Sequence, residues 1–145
     1  MKNMYKLPAY VGIILKKENN VLLVKRTNTD WTSGQWNFPG GLFEENETLA
    51  NAAAREAQEE VGVKIASNDL ELVHVMHVQK TEQHAKEIFG FYFMTKSLHG
   101  TPINNEPHRH SEIGWFDINN LPENITSHAL QALDGLKKNL RYSEN

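Results

Sequence analysis

The chain contains no cysteine. Disulfide stapling and thiolate catalysis are therefore excluded, and with them a zinc site built on cysteine. No stretch approaches the roughly 18 consecutive apolar residues of a membrane helix, and Met1 to Pro8 has no apolar signal core. These absences predict a cytoplasmic protein without a membrane partner, in which the Asn46 and Asn124 matches to the glycosylation pattern are coincidences. Charge of one sign is also lacking. A formal net charge of −3 gives no general pull toward a nucleic-acid polymer. An anionic ligand must then be met by local positive charge or by a metal ion.

The composition that remains, 39% hydrophobic and 23% charged in 145 residues, predicts one soluble domain over residues 1–145. Ala9 to Lys17 and Val21 to Lys25 read as a strand pair around a turn at Glu18-Asn19-Asn20. Trp36 to Phe38, Leu70 to Gln79, Glu87 to Thr95 and Glu112 to Asp117 read as further strands. Phe89, Phe91 and Phe93 alternate along one of them and predict a core face. Leu49 to Val61 and Ile125 to Leu140 read as helices, the second with an apolar stripe of Ala129, Leu130, Leu133, Leu136 and Leu140. Strands, helix, strands, helix predicts an α/β fold: a sandwich with a mixed sheet.

The first helix carries the chemistry. Thr48 is a candidate N-cap and Gly62 a candidate stop. On a helical wheel Ala50, Ala54, Ala57 and Val61 form an apolar stripe, and Glu56, Glu59 and Glu60 share a different face. At about 6 Å and an effective dielectric near 20, each such carboxylate pair repels by roughly 2–3 kcal/mol. On a solvated helix the cost falls to a few tenths of a kcal/mol, so an acidic face alone is ordinary. Beside the Gly40-Gly41 bend it is not, because converging hard oxygens suit Mg²⁺ or Mn²⁺.

Gly41, then Glu47, then Arg55-Glu56-Ala57-Gln58-Glu59-Glu60-Val61-Gly62-Val63, led by Trp36-Asn37-Phe38-Pro39-Gly40, resembles the signature box of the Nudix hydrolases. Two positions depart from the pattern: Ala57 replaces a bulkier aliphatic, and Asn46 stands where glycine is common. Asn tolerates the turn that this requires. The resemblance implies an α/β/α sandwich and a Mg²⁺-dependent enzyme, with Mn²⁺ as a substitute, that cleaves a phosphoanhydride of a nucleoside diphosphate linked to another group. It implies a metal set of Gly40, Glu56, Glu59 and Glu60, with Glu59 and Glu60 also catalytic. Gly41, Glu47 and Arg55 then support that set, Arg55 by pairing with Glu59 or Glu47. The family's base can come from a later loop, for which Glu112 is the candidate. Tyr10, Trp31 and Asn37 are candidates for the nucleobase, and Lys25, Arg26 and Arg109 for phosphate.

Short length favours a MutT-like enzyme that converts a nucleoside triphosphate to monophosphate and pyrophosphate. The ADP-ribose subgroup usually has a proline about sixteen residues past the box, and here no proline lies between Pro39 and Pro102. An ADP-ribose or nucleotide-sugar pyrophosphatase, or a silent nucleotide sensor, are the alternatives, as monomer or homodimer. Among the seven histidines, His108 and His110 share a face if extended, with Glu106 or Glu112 near, but they read more simply as solvated loop residues.

Overall fold

The computed structural model describes residues 2–30, 32–82 and 86–145. Ala9–Ile14 forms β1 and Lys16–Lys17 forms β2, so the single strand expected from Ala9 to Lys17 is broken at Leu15. There the chain leaves one sheet for another. β2 turns through Glu18, at φ 55°, and pairs with β3 (Asn20–Arg26), placing Lys16 opposite Val21. The expected hairpin is thus two residue pairs long, extended by one bond from Leu22 N–H to the Leu15 carbonyl at 3.0 Å. The remaining strands are β4 (Trp36–Asn37), β5 (Gly40–Leu42), β6 (Leu70–Val78), β7 (Ile88–Thr95), β8 (His110–Asp117) and β9 (Tyr142–Glu144). The helices are α1 (Leu49–Val61) and α2 (Ser127–Lys137).

One mixed sheet runs β5-β1-β7-β6-β9, with β1 parallel to β7 and β6 parallel to β9. In the second sheet β8 pairs along the whole of β3, and the short β2 and β4 share the other edge of β3. Both sheets are covered on two sides, which is why β1 and β3 are apolar at every central position rather than at alternate ones. Val11, Ile13, Leu22 and Val24 pack toward α1, while Tyr10, Ile14, Val21 and Leu23 pack toward α2. The result is the α/β/α sandwich with a mixed sheet. Of the aromatic strand, Phe91 and Phe93 join the α1 side, Phe89 stacks on His77 nearer the surface, and Tyr92 is buried on the α2 side. Both faces of β7 are core.

The second helix differs from expectation. Its cap is Thr126, whose hydroxyl accepts from Ala129 N–H at 3.2 Å, and it ends at Lys137. Ala132 takes the buried place expected of Leu130, while Leu130 and Leu140 are exposed. After Lys137 the chain turns at Asn139, at φ 55°, and returns as β9 beside β6. Nothing in the polar run Arg141–Asn145 announces a strand, because β9 is held by backbone pairing rather than by apolar side chains.

His74 closes this corner. Its ring, fully buried, bonds to the Leu140 carbonyl (2.8 Å) and the Ser143 hydroxyl (2.7 Å). It lies so close to α2 that a Cβ at Gly135 would sit 2.4 Å from Cε1. In an open helix, Gly→Ala stabilises by about 0.5–1 kcal/mol. Here Gly135→Ala is expected to destabilise by about 1–3 kcal/mol through overpacking, read as a lower urea midpoint. A raised midpoint would refute the close approach of ring and helix.

Candidate active site

Helix α1 begins and ends as its sequence requires. Thr48 accepts from Asn51 N–H at 3.1 Å, and Gly62 closes the helix in the left-handed region at φ 68°. The buried face, however, is Ala52, Ala53, Glu56, Ala57, Glu60 and Val61, with Ala50 and Ala54 at its margin. The acidic side chains therefore do not form a separate wet face. Glu56 and Glu60 lie 8% and 5% exposed on the packing face, and only Glu59 points to solvent. Room for them comes from the strand opposite. The Glu56 carboxylate lies over Gly41 so closely that a Cβ there would meet Oε1 at 2.3 Å. Glu60 Oε2 accepts from Gly40 N–H at 2.9 Å.

Arg55 holds the outer side of this group. It forks onto Glu47 (Nη2–Oε1 2.8 Å, Nε–Oε2 3.1 Å) and reaches Glu56 at 2.9 Å and Glu59 at 3.3 Å. Both partners expected for it, Glu47 and Glu59, are thus present, with Glu56 as a third. Asn46 adopts φ 66°, the turn expected of it. Pairing with Arg55 holds the Glu47 carboxyl below the usual carboxylate range. Glu56 is raised, because burial outweighs the guanidinium beside it. Burial, offset partly by the Gly40 N–H and reinforced by Glu56 and Glu106, pushes Glu60 up to about 8.

The later-loop carboxylate that reaches this group is Glu106, whereas Glu112, the residue expected there, pairs with Lys25. The loop before β8 is laid on the C-terminal end of α1. Asn105 N–H donates to the Glu60 carbonyl at 3.0 Å, and its side-chain amide donates to the carbonyls of Gln58 and Glu59. The Glu59 and Glu60 carbonyls are among those that a helix end leaves unpaired, while the Gln58 carbonyl also accepts from Gly62 N–H at 3.1 Å. Glu106 follows directly and adds its charge to Glu56 and Glu60. Its Oε2 is buried without a hydrogen bond, and the Arg109 guanidinium is 3.7 Å away.

A bulge at Ser111 then decides two more positions. Lys25 pairs with Glu112 but Arg26 with His110, so Ser111 has no partner. Successive residues of β3 face opposite ways. Glu112 thus shares the α2-side face with Lys25, which it meets at 3.2 Å and which lies over the Trp36 ring. His110 shares the other face with Arg26. Far from being a solvated loop residue, it is 2% exposed, with Nε2 3.7 Å from Glu60 Oε1. Burial first, and then Arg26, Arg109 and His108, lower its pKa to about 4, so the ring is neutral. Spacing set His110 and Glu106 near one another but did not place either beside the box carboxylates, since one depends on the bulge and the other on Asn105 docking.

Of the candidates for substrate, Tyr10 and Asn37 are brought together in a cleft on the α2 side with Met76, Tyr92 and His128. The enclosed volume is about 20 Å³, so a planar ring enters only if a lining side chain moves aside. Asn37 Oδ1 already accepts from Phe38 N–H (2.9 Å) and the Thr126 hydroxyl (3.2 Å), which leaves its NH₂ for a guest. Tyr10 links cleft and acidic group, because a Cβ on Gly40 would lie 2.7 Å from its hydroxyl. Arg26 faces Glu60 and Tyr10 closely enough to favour their charged forms. Trp31 lies outside the described residues.

Among the described residues no three His, Asp or Glu side chains are arranged to hold a metal ion as they stand. Arg55 draws Glu56 and Glu59 outward. The donor chemistry still fits a hard divalent ion: carboxylate oxygens, a backbone bend without Cβ atoms, and an unbonded buried oxygen on Glu106. Also among the described residues, no helix is long and apolar enough to cross a membrane.

Residues 6–136 match the NUDIX domain. The chain belongs to the Nudix family. Among curated Nudix relatives, an 8-oxo-dGTP diphosphatase from Proteus vulgaris is 42% identical over 65 residues, 45% of this chain and 58% of that protein. The chain thus spans little more than half of that relative. An ADP-ribose pyrophosphatase from Methanocaldococcus jannaschii is 30% identical over 115 residues, 79% of this chain and 64% of that protein. Among solved structures, a MutT NUDIX hydrolase from Burkholderia pseudomallei superposes with a TM-score of 0.80 at 25% identity, covering 90% of this chain and 98% of that one.

The raised pKa of Glu60 gives this Nudix chain a pH signature. The buried carboxyl keeps its proton up to about pH 8, whereas the unfolded chain releases it near the ordinary glutamate value of 4.5. Between these values the unfolded state binds fewer protons, so stability falls as pH rises. In metal-free protein, Glu60→Gln is therefore expected to melt higher than wild type by a margin that grows from pH 5 to pH 8.5, reaching several degrees. A margin independent of pH in thermal scans would contradict the burial of this carboxylate.

Proposed function

We propose that the chain is a divalent-metal-dependent pyrophosphohydrolase that converts a nucleoside triphosphate to its monophosphate and pyrophosphate. The observation that carries this is the gathering of Glu56 and Glu60 against the Gly40-Gly41 backbone, with Glu106 and Arg26 close enough to act on their charge and the Tyr10–Asn37 cleft adjoining. Buried carboxylates alone repel a polyphosphate. The Gly40 carbonyl and the Glu56, Glu59 and Glu60 carboxylates are the groups that would hold Mg²⁺ or Mn²⁺, and such an ion, when bound, neutralises phosphate charge and acidifies water.

The chain's own residues have separate tasks. Arg55 and Glu47 fix the orientation of Glu56 and Glu59. Arg26 takes a phosphate oxygen. Asn37 and Tyr10 meet the base. A water oxygen adds to one phosphorus of the α–β bridge, the bridging oxygen leaves with the other phosphorus, and Glu106 Oε2 accepts the proton of the water. Glu106 is chosen over Glu112 because its Oε2 is shielded from water, accepts no hydrogen bond and lies near enough to Glu60 to raise its pKa, whereas Glu112 is paired with Lys25 at an exposed position.

A second reading, an ADP-ribose pyrophosphatase, is favoured by the relative of that name, which is matched over most of this chain. The same carboxylates would serve it. A panel of nucleoside triphosphates, 8-oxo-dGTP and ADP-ribose with Mg²⁺, with products identified by mass, separates the two. Glu60→Gln and Glu106→Gln are each expected to stay folded and lose about 10²–10⁴-fold in kcat, and EDTA to abolish turnover. Glu112→Gln is expected to stay within about threefold of wild type. A severe loss in Glu112→Gln beside an active Glu106→Gln would reverse the assignment.

A further inference from the structure

We propose that Thr126 sets which base the cleft accepts. It holds the Asn37 carboxamide with its oxygen turned away from the cleft, so that the site selects a base with a carbonyl where adenine and cytosine carry an amino group. This rests on the reading above only in taking the Tyr10–Asn37 cleft as the seat of the base. Asn37 and Thr126 lie far apart in the chain, yet each is 2% exposed. Backbone pairing joins them. Trp36 N–H donates to the Asn124 carbonyl and Thr126 N–H donates to the Trp36 carbonyl, both at 2.9 Å, so residues 124–126 run beside β4.

Two donors then fix the amide. Phe38 N–H can only donate, and it meets Asn37 Oδ1 at 2.9 Å. Thr126 Oγ1 already accepts from Ala129 N–H at 3.2 Å as the cap of α2, and it gives its own proton to the same Asn37 oxygen at 3.2 Å. Turned over, the amide would set its NH₂ against the Phe38 N–H and take this acceptor from the Thr126 proton. With both lone pairs of its oxygen occupied, Asn37 lines the cleft with a group that only donates. Bases differ at the matching position. Guanine, hypoxanthine, thymine and uracil present a carbonyl oxygen there, whereas adenine and cytosine present an amino donor. An amino group would put donor against donor, a mismatch that polar sites reject strongly. Thr126 acts through Asn37 and is a positioning residue.

The test measures binding, which does not depend on turnover. Calorimetric titration of the full chain with Mg²⁺ compares inosine monophosphate with adenosine monophosphate, and uridine with cytidine monophosphate, pairs that differ in this carbonyl and amino group. Wild type is expected to bind the carbonyl member about 10–100-fold more tightly. Thr126→Val keeps the shape but loses the hydroxyl, so the preference is expected to fall at least about fivefold, while Thr126→Ser restores it. The lost helix cap weakens both members of a pair alike, which is why the ratio is read. Equal binding in wild type, or an unchanged ratio in Thr126→Val, would overturn the proposal and leave the pyrophosphohydrolase reading to its own panel. No binding of any of the four to wild type would overturn both this proposal and the placing of the base in the cleft. Where Thr126→Val does not fold, the wild-type ratio decides together with a neutron structure of deuterated, nucleotide-free protein. That structure is expected to show the Thr126 deuteron on Asn37 Oδ1, and the amide oxygen on the cleft side would refute the proposal.

Discussion

The structure turns on the burial of two carboxylates against a backbone that has no side chains to offer. Glu56 over Gly41 and Glu60 on the Gly40 N–H put two carboxyl groups side by side where water is scarce. Burial first, and neighbouring carboxylates after it, raise their pKa, and ionising both requires compensation. Arg55 supplies part of it from one side, bound to Glu47, Glu56 and Glu59 at once. The bend must carry glycine because any Cβ at Gly41 would occupy the space of the Glu56 carboxylate. What Arg55 leaves uncompensated is the attraction for a divalent ion on which the proposed chemistry depends.

The sandwich exists to bring that group together from distant segments. β1 serves both layers, sending Val11 and Ile13 to α1 and Tyr10 to the α2 side, so that a single strand borders both the acidic group and the cleft. The crossing at Leu15 hands the chain to the second sheet, where β3 sets Arg26 beside His110. Asn105 joins the same region to α1 by covering three helix-end carbonyls with its backbone and side-chain amides. At the far corner the His74 ring, Gly135 and β9 hold α2 in place, and α2 carries His128, a wall of the cleft.

The box helix was readable residue by residue. Thr48, Gly62 and the glutamates sit at fixed helical offsets, and local propensity and capping agree with the final fold. Strand positions were readable for the same reason, since apolar continuity marks a strand covered on both faces. The helical wheel misled at one point: it separated the acidic residues from the packing face, because a wheel does not know that the neighbouring strand is bare glycine. The extra strand β9 was invisible, since its partner is the backbone of β6 and its own side chains are polar.

By itself, then, the sequence determined the fold class, from the order of strands and helices, and the family and the α1 carboxylates with the Arg55 pairing, from short-range spacing in and just before one helix. Only the tertiary structure decided which later residues stand beside those carboxylates. A single unpaired residue, Ser111, sends His110 to the carboxylates and Glu112 to Lys25 on the opposite face. Asn105, docked on the end of α1, brings Glu106 in. The physical reason is that strand parity and loop docking are set by pairing between distant segments, and one inserted residue reverses every facing beyond it.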